Sequence, residues 1–64
     1  MDGAIKTLKQ ARNYAANILA MTGKTHLIFK VPQGTYAHEI GYRFGTCELD
    51  ERADYEADGA EFLD

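Results

Sequence analysis

A single cysteine, Cys47, occurs in this chain of 64 residues, so an internal disulfide is impossible. Small secreted domains usually depend on several disulfides, and their absence favours a reducing cytoplasm. Long apolar runs are also lacking. The segment YAANILAM at 14–21 contains an asparagine and is too short to span a bilayer. We therefore expect neither a membrane segment nor a signal peptide.

Catalytic and metal-binding motifs are missing as well. The sequence TGKT at 22–25 echoes a phosphate-binding loop, but Ile18 stands where that motif needs glycine, and the predicted helix precedes the loop instead of following it. His26, His38 and Cys47 lack the close spacing of a usual zinc site. No Ser/His/Asp set is legible. We expect no enzyme, no cofactor and no bound metal.

Positive charge is too sparse for direct nucleic-acid binding. Lys6, Lys9 and Arg12 are the cations that a helix near the N-terminus would present, and the net charge of −3 opposes binding to phosphates. The tyrosines and Phe44 are expected mainly in or near the core. Sixty-four residues with 45% hydrophobic content predict one small folded domain, residues 1–64.

An amphipathic helix is predicted over residues 3–21, with Asp2 as its N-terminal cap and Gly23 as its C-terminal cap. Apolar residues recur at spacings of three and four and form one stripe. The members of the stripe are Ile5, Leu8, Ala11, Ala15, Ile18 and Leu19.

A β-hairpin is predicted over residues 25–44, because THLIFKV and YAHEIGYRF flank the turn sequence PQGT. The favoured register sets Val31 opposite Tyr36 and Phe29 opposite His38. Together with the helix this predicts an α+β fold, in which the helix packs on a small antiparallel sheet. The predicted core contains Ile5, Leu8, Ile18, Leu19, Leu27, Phe29, Val31, Ile40 and Tyr42.

The C-terminal third, CELDERADYEADGAEFLD, allows two interpretations. Its odd positions from 47 to 58 are mostly apolar and its even positions are all charged, which favours a third strand. Leu49, Ala53 and Ala57 also fit a short helix. A turn at Asp58 and Gly59 would bring Tyr55 opposite Phe62.

The charge layout is the strongest functional signal. Residues 1–46 carry six Lys/Arg and two acids, whereas residues 47–64 carry one Arg and eight acids. This asymmetry predicts an acidic surface that docks on a basic partner. A merely solvated surface and a frayed acidic end remain alternatives. The candidate partner-binding residues are Glu48, Asp50, Glu51, Asp54, Glu56, Asp58 and Glu61.

Carboxylates on alternate residues of an extended segment lie about 6.6–6.8 Å apart, and a DNA strand places a phosphate about every 3.4 Å along the duplex axis. Such a row of carboxylates can engage lysines and arginines that ordinarily hold DNA. The expected mechanism is therefore mimicry of nucleic acid.

In its acidic segment, its helix-then-hairpin layout over residues 3–44 and its length, the chain resembles small inhibitors encoded by phages and mobile elements. Among these it is most similar in kind to the acidic anti-CRISPR proteins. The resemblance implies a protein of the bacterial host cytoplasm, favoured as a monomer, that binds a Cas surveillance complex and keeps target DNA from being engaged. The competing hypothesis is an acidic interaction module, such as an antitoxin-like partner, without nucleic-acid mimicry.

Overall fold

The α+β class is confirmed by the computed structural model, which describes residues 4–63. A long helix, α1, packs against two strands of a three-stranded antiparallel sheet. The helices are α1 (Leu8–Thr22), α2 (Tyr36–Glu39) and α3 (Arg52–Ala57), with a 3-10 turn (Leu49–Glu51) before α3. The strands are β1 (His26–Lys30), β2 (Phe44–Glu48) and β3 (Glu61–Phe62). None of the helices within 4–63 is long and apolar enough to cross a membrane.

Helix α1 begins later than predicted. Thr7 caps it: its hydroxyl accepts from the Gln10 amide at 3.1 Å, and the Gln10 side chain accepts from the Thr7 amide at 3.1 Å. The predicted cap, Asp2, lies outside the described residues. The segment before Thr7 is held differently, because the Ile5 carbonyl accepts from the amides of Arg43 and Phe44. The predicted end is confirmed, since Gly23 adopts a left-handed φ of 75°.

The predicted hairpin register is wrong. β1 pairs with β2, so that Leu27 faces Cys47 and Phe29 faces Gly45, not His38. Residues 36–39 form α2, because the Thr35 hydroxyl caps that turn and donates to the Pro32 carbonyl at 2.7 Å. A helical turn uses its own backbone groups and cannot also pair with a strand.

The third strand predicted for residues 47–58 is also wrong beyond Glu48, and the short-helix alternative is correct. The chain turns at Gly59, whose φ is 99°. After this turn β3 pairs with β1, so Phe62 lies opposite Phe29 and not opposite Tyr55 as predicted. β1 is therefore the central strand of the order β2-β1-β3.

The buried hydrophobic residues in 4–63 are few: Ala11, Phe29 and Cys47. Two members of the predicted core, Leu19 and Ile40, are exposed instead. Ile40 is displaced because α2 occupies the place of the predicted second strand. Leu19 lies one position past Ile18 in the last turns of α1, beyond the part of the stripe that the sheet covers.

The Phe29 ring is the centre of the packing. It lies 4.9 Å from the Tyr55 ring and 5.2 Å from the Phe62 ring, measured between centroids. A Cβ at Gly45 would approach this ring to 2.6 Å, so glycine is required by space rather than by backbone angles. One side chain thus joins β1 to β2, α3 and β3.

Phe29→Ala is expected to lower the free energy of unfolding by roughly 3–5 kcal/mol, most of the stability of so small a domain. Gly45→Ala is expected to lower it by about 1–3 kcal/mol through overpacking. Adding Phe29→Leu to Gly45→Ala should recover part of that loss, since the clashing ring is gone. Denaturant unfolding of the native chain, Phe29→Leu, Gly45→Ala and the double variant Phe29→Leu/Gly45→Ala measures this cycle, and strict additivity would contradict the Phe29–Gly45 contact.

Candidate acidic interface

The turn into α3 positions the first carboxylates. Glu48 ends β2, and its amide donates to the Glu51 side chain at 3.1 Å, which fixes the start of the 3-10 turn. Asp50, Glu51 and Asp54 follow in the first turns of this helical segment. Carboxylates are favourable there, because the exposed amides at a helix start carry partial positive charge.

Three of the predicted binding residues meet at this turn. Glu48, Asp50 and Glu51 each offer an oxygen, and these atoms lie within 4.8 Å of one another. The reciprocal capping bonds between Glu48 and Glu51 account for part of this proximity. The cluster therefore has a structural cause, and by itself it does not identify a metal site.

A second set forms a row, which we call the acidic ridge: Asp50, Asp54 and Asp58. These residues follow one another at intervals of four along the 3-10 turn, α3 and its C-terminal cap, so they lie on one side of the helical segment. All three are exposed. Four residues of an α-helix rise by about 6 Å, and the step from Asp50 to Asp54 is somewhat longer because a 3-10 turn rises by about 2.0 Å per residue.

The remaining predicted residues do not join the ridge. Glu56 lies 3.2 Å from Arg52, and Glu48 lies 3.4 Å from Lys24. Glu61 stands across from Lys30 in the β1–β3 pairing. The single extended row of alternating charges expected from the sequence therefore does not exist, because the backbone is helical and turns Glu56 away from Asp54.

Two of the apolar residues that stand among the acids anchor this segment. Tyr55 and Phe62 pack on Phe29, and the Arg52 guanidinium lies 4.9 Å above the Phe62 ring. Leu49 does not anchor anything, since 70% of its surface is exposed. One side of α3 is consequently anchored by these contacts, and its other side, which carries the ridge, faces solvent.

Sequence reasoning missed a cavity of about 460 Å³ beside α3. Five aromatic rings line it, from residues that the sequence places far apart: Tyr14, Phe29, Tyr42, Phe44 and Tyr55. The only acidic residue of its lining is Asp58, the last member of the ridge. The abundance of tyrosine was the available signal, but the incorrect hairpin register concealed which rings share a space.

His26, His38 and Cys47 form no metal-binding group in the part of the chain that the structure describes. The His26 Nδ1 atom is buried and has no hydrogen-bond partner there. Burial raises the pKa of the Cys47 thiol, the carboxylates of Glu51 and Asp50 raise it further, and the Arg52 guanidinium opposes them. Cys47 is therefore a protonated core residue and not a reactive thiolate.

No protein-family model, no curated protein and no solved structure matches this chain. A function has to be argued from the geometry of its own surfaces.

The Cys47 thiol is expected to react with a thiol reagent at pH 8 far more slowly in the folded protein than in denaturant. Because its pKa is raised by folding, its contribution to stability is complete below the ordinary thiol pKa of about 8.5 and is lost as the pH rises through the raised value. Unfolding followed from pH 7 to 10 should show this loss, and Cys47→Ala should remove it. Equal reaction rates in the folded and unfolded protein would contradict the burial.

We also predict that the fold needs no metal. A chelator, or added Ca²⁺, should leave the thermal midpoint unchanged, because the three clustered carboxylates are exposed or half-buried and two of them serve in capping. Asp50→Asn is the matched variant and should respond in the same way. Stoichiometric metal in the purified protein, with unfolding by chelator, would contradict this prediction.

Proposed function

We propose that the chain is a non-catalytic inhibitor that docks its acidic ridge on the basic DNA-binding surface of a nucleic-acid-handling complex. The observation that carries the proposal is the exposed row of Asp50, Asp54 and Asp58 on a helical segment. A CRISPR-Cas surveillance complex is the partner that the resemblance implies, and target DNA is what the inhibitor would exclude. The chain itself then binds protein and not nucleic acid.

Spacing supports the proposal in its helical form. Ridge carboxylates rise by about 6 Å per α-helical step and by somewhat more across the 3-10 turn. Every second phosphate of a DNA strand rises by about 6.8 Å, twice 3.4 Å. A groove that spaces its lysines and arginines for phosphates can therefore contact successive carboxylates of the ridge. The helical segment preserves the spacing that the sequence analysis had assigned to an extended strand.

Rigidity supports it further. The Tyr55–Phe29 contact and the Arg52–Phe62 contact hold α3 from behind, so the carboxylates are displayed on a fixed element. A disordered acidic tail would lose conformational freedom on binding, whereas this segment is already ordered. Nearby Glu48 and Glu51 add charge at the same end of the helix.

A second candidate function is favoured by Leu49. This side chain is exposed between Glu48 and Asp50, and DNA offers no apolar counterpart at its phosphates. An acidic interaction module, such as an antitoxin-like partner, would bury Leu49 in a protein pocket. Mimicry requires competition with DNA, whereas such a module does not.

The test is competition on a partner recovered from host lysate with the intact chain as bait. The partner is incubated with the chain, and binding of a fluorescent duplex is followed by anisotropy. We expect the native chain to exclude the duplex. The double variant Asp50→Lys/Asp54→Lys should bind the partner at least about tenfold more weakly, a loss of about 1.4 kcal/mol, mostly in association rate. In the presence of this double variant, the partner should therefore bind the duplex again.

Glu39→Lys is the matched control for the single variant Asp54→Lys. Both reverse one exposed carboxylate and change the net charge equally, but Glu39 lies on α2, away from the ridge in the chain. Only Asp54→Lys should weaken binding. Simultaneous binding of duplex and chain without mutual weakening would reject mimicry. If Leu49→Ser then abolished binding, the interaction module would be the better description.

A further inference from the structure

The cavity beside α3 is built from all layers of the fold. Tyr14 reaches it from α1, Phe29 from β1, Phe44 from β2 and Tyr55 from α3, and Tyr42 reaches it from the loop before β2. Its volume of about 460 Å³ falls within the usual range for small-molecule sites, about 300–1,000 Å³. The site is thus assembled by folding and is not a local feature of one segment.

The lining has a distinctive chemistry: five aromatic rings, one carboxylate and no lysine, arginine or histidine. Aromatic faces carry negative electrostatic potential and attract a cation within about 6 Å of the ring centre. A neutral apolar ligand would not require the carboxylate, and an anion would be repelled by both the rings and Asp58. The lining therefore favours an organic cation over an anion.

The rings are accessible as well as clustered. Tyr14 is 50% exposed and Tyr55 is 38% exposed, so part of each side chain remains accessible to a ligand. The Tyr55 ring is also held against Phe29 with an interplanar angle of 34°, which fixes one wall of the cavity. A preformed wall avoids much of the ordering cost of binding.

Asp58 is available to a ligand. Within residues 4–63 its carboxylate makes no salt bridge. It caps the C-terminal end of α3, where backbone carbonyls make negative charge unfavourable, and the last turn holds no basic residue. A bound cation would relieve that repulsion, which the fold itself leaves uncompensated.

We propose that this cavity binds an alkylammonium group, either of a small quaternary amine or of a lysine side chain on a protein. The tyrosine and phenylalanine faces surround the cationic head, and Asp58 supplies the opposite charge at the rim. Asp58 belongs to both this site and the ridge, whereas Asp50 and Asp54 do not line the cavity, so choline binding can be tested separately from the proposed inhibitor role.

The test is an NMR titration of the full chain with choline, compared with its neutral isostere 3,3-dimethyl-1-butanol. We expect choline to shift signals of Tyr14 and Tyr55, and to bind about tenfold more tightly than the isostere, as a cation–π contribution of about 1.4 kcal/mol implies. Equal affinity for the two compounds would overturn the proposal, because shape alone would then account for binding.

Tyr14→Leu and Asp58→Asn should each weaken choline binding by several-fold. Tyr36→Leu is the matched control, because Tyr36 is 75% exposed and does not line the cavity. A loss in Tyr36→Leu equal to that in Tyr14→Leu would contradict the site. Should Tyr14→Leu fail to fold, Asp58→Asn alone decides, since removing its exposed charge leaves the packing of α3 intact.

A second arm distinguishes the two sources of the cation. The blocked amino-acid amides of lysine and trimethyl-lysine replace choline in the same titration. Binding of choline and trimethyl-lysine with Tyr14 dependence supports the site and admits a modified protein side chain. Binding of choline alone supports a free small amine. Absence of binding by all three cations overturns the proposal.

Discussion

The contact between the Phe29 ring and the bare backbone of Gly45 is the constraint on which the rest of the structure depends. With no Cβ at residue 45, the tip of the ring can approach the backbone of β2 closely while the ring also contacts Tyr55 and Phe62. α3 contacts the sheet through this side chain, and β3 adds its own backbone pairing with β1. The contact between Phe29 and Tyr55 therefore helps to place the ridge carboxylates of α3.

Local signals predicted much of the fold correctly. The periodic stripe and Gly23 located α1 and its end, and the β-branched and aromatic run located β1. Pairing could not be predicted in the same way, because the Thr35 hydroxyl caps residues 36–39 as a helical turn, donating to the Pro32 carbonyl and accepting from the His38 amide. The alternation of apolar and charged residues over 47–58 wrongly predicted a strand for a related reason. The capping bonds of Glu48 and Glu51 start a helical segment there, and the alternating pattern gives no sign of it.

In the candidate site, too, some features could be predicted from the sequence and others could not. Charge asymmetry identified the acidic segment, and Asp50, Asp54 and Asp58 are displayed as a row despite the change from strand to helix. The ion pairs of Glu48 with Lys24 and of Glu56 with Arg52 depend on tertiary or helical geometry and were not foreseeable from composition. The aromatic cavity required the correct register, since its rings come from four elements that meet only in the folded chain.

The geometry of the acidic surface depends in part on the short strand β3, which follows the acidic residues 48–58 in the chain. In the described residues β3 consists of Glu61 and Phe62, yet its pairing with β1 joins residues that lie more than thirty positions apart in sequence. During synthesis the carboxylates of residues 48–58 exist well before Phe62 can close on Phe29. A nascent chain, or one cut after Gly59, thus carries all three carboxylates of the ridge without the packing of Phe62 that helps to fix their geometry. The ridge carboxylates are therefore synthesised before their geometry is complete, and the packing of β3 on β1 completes it.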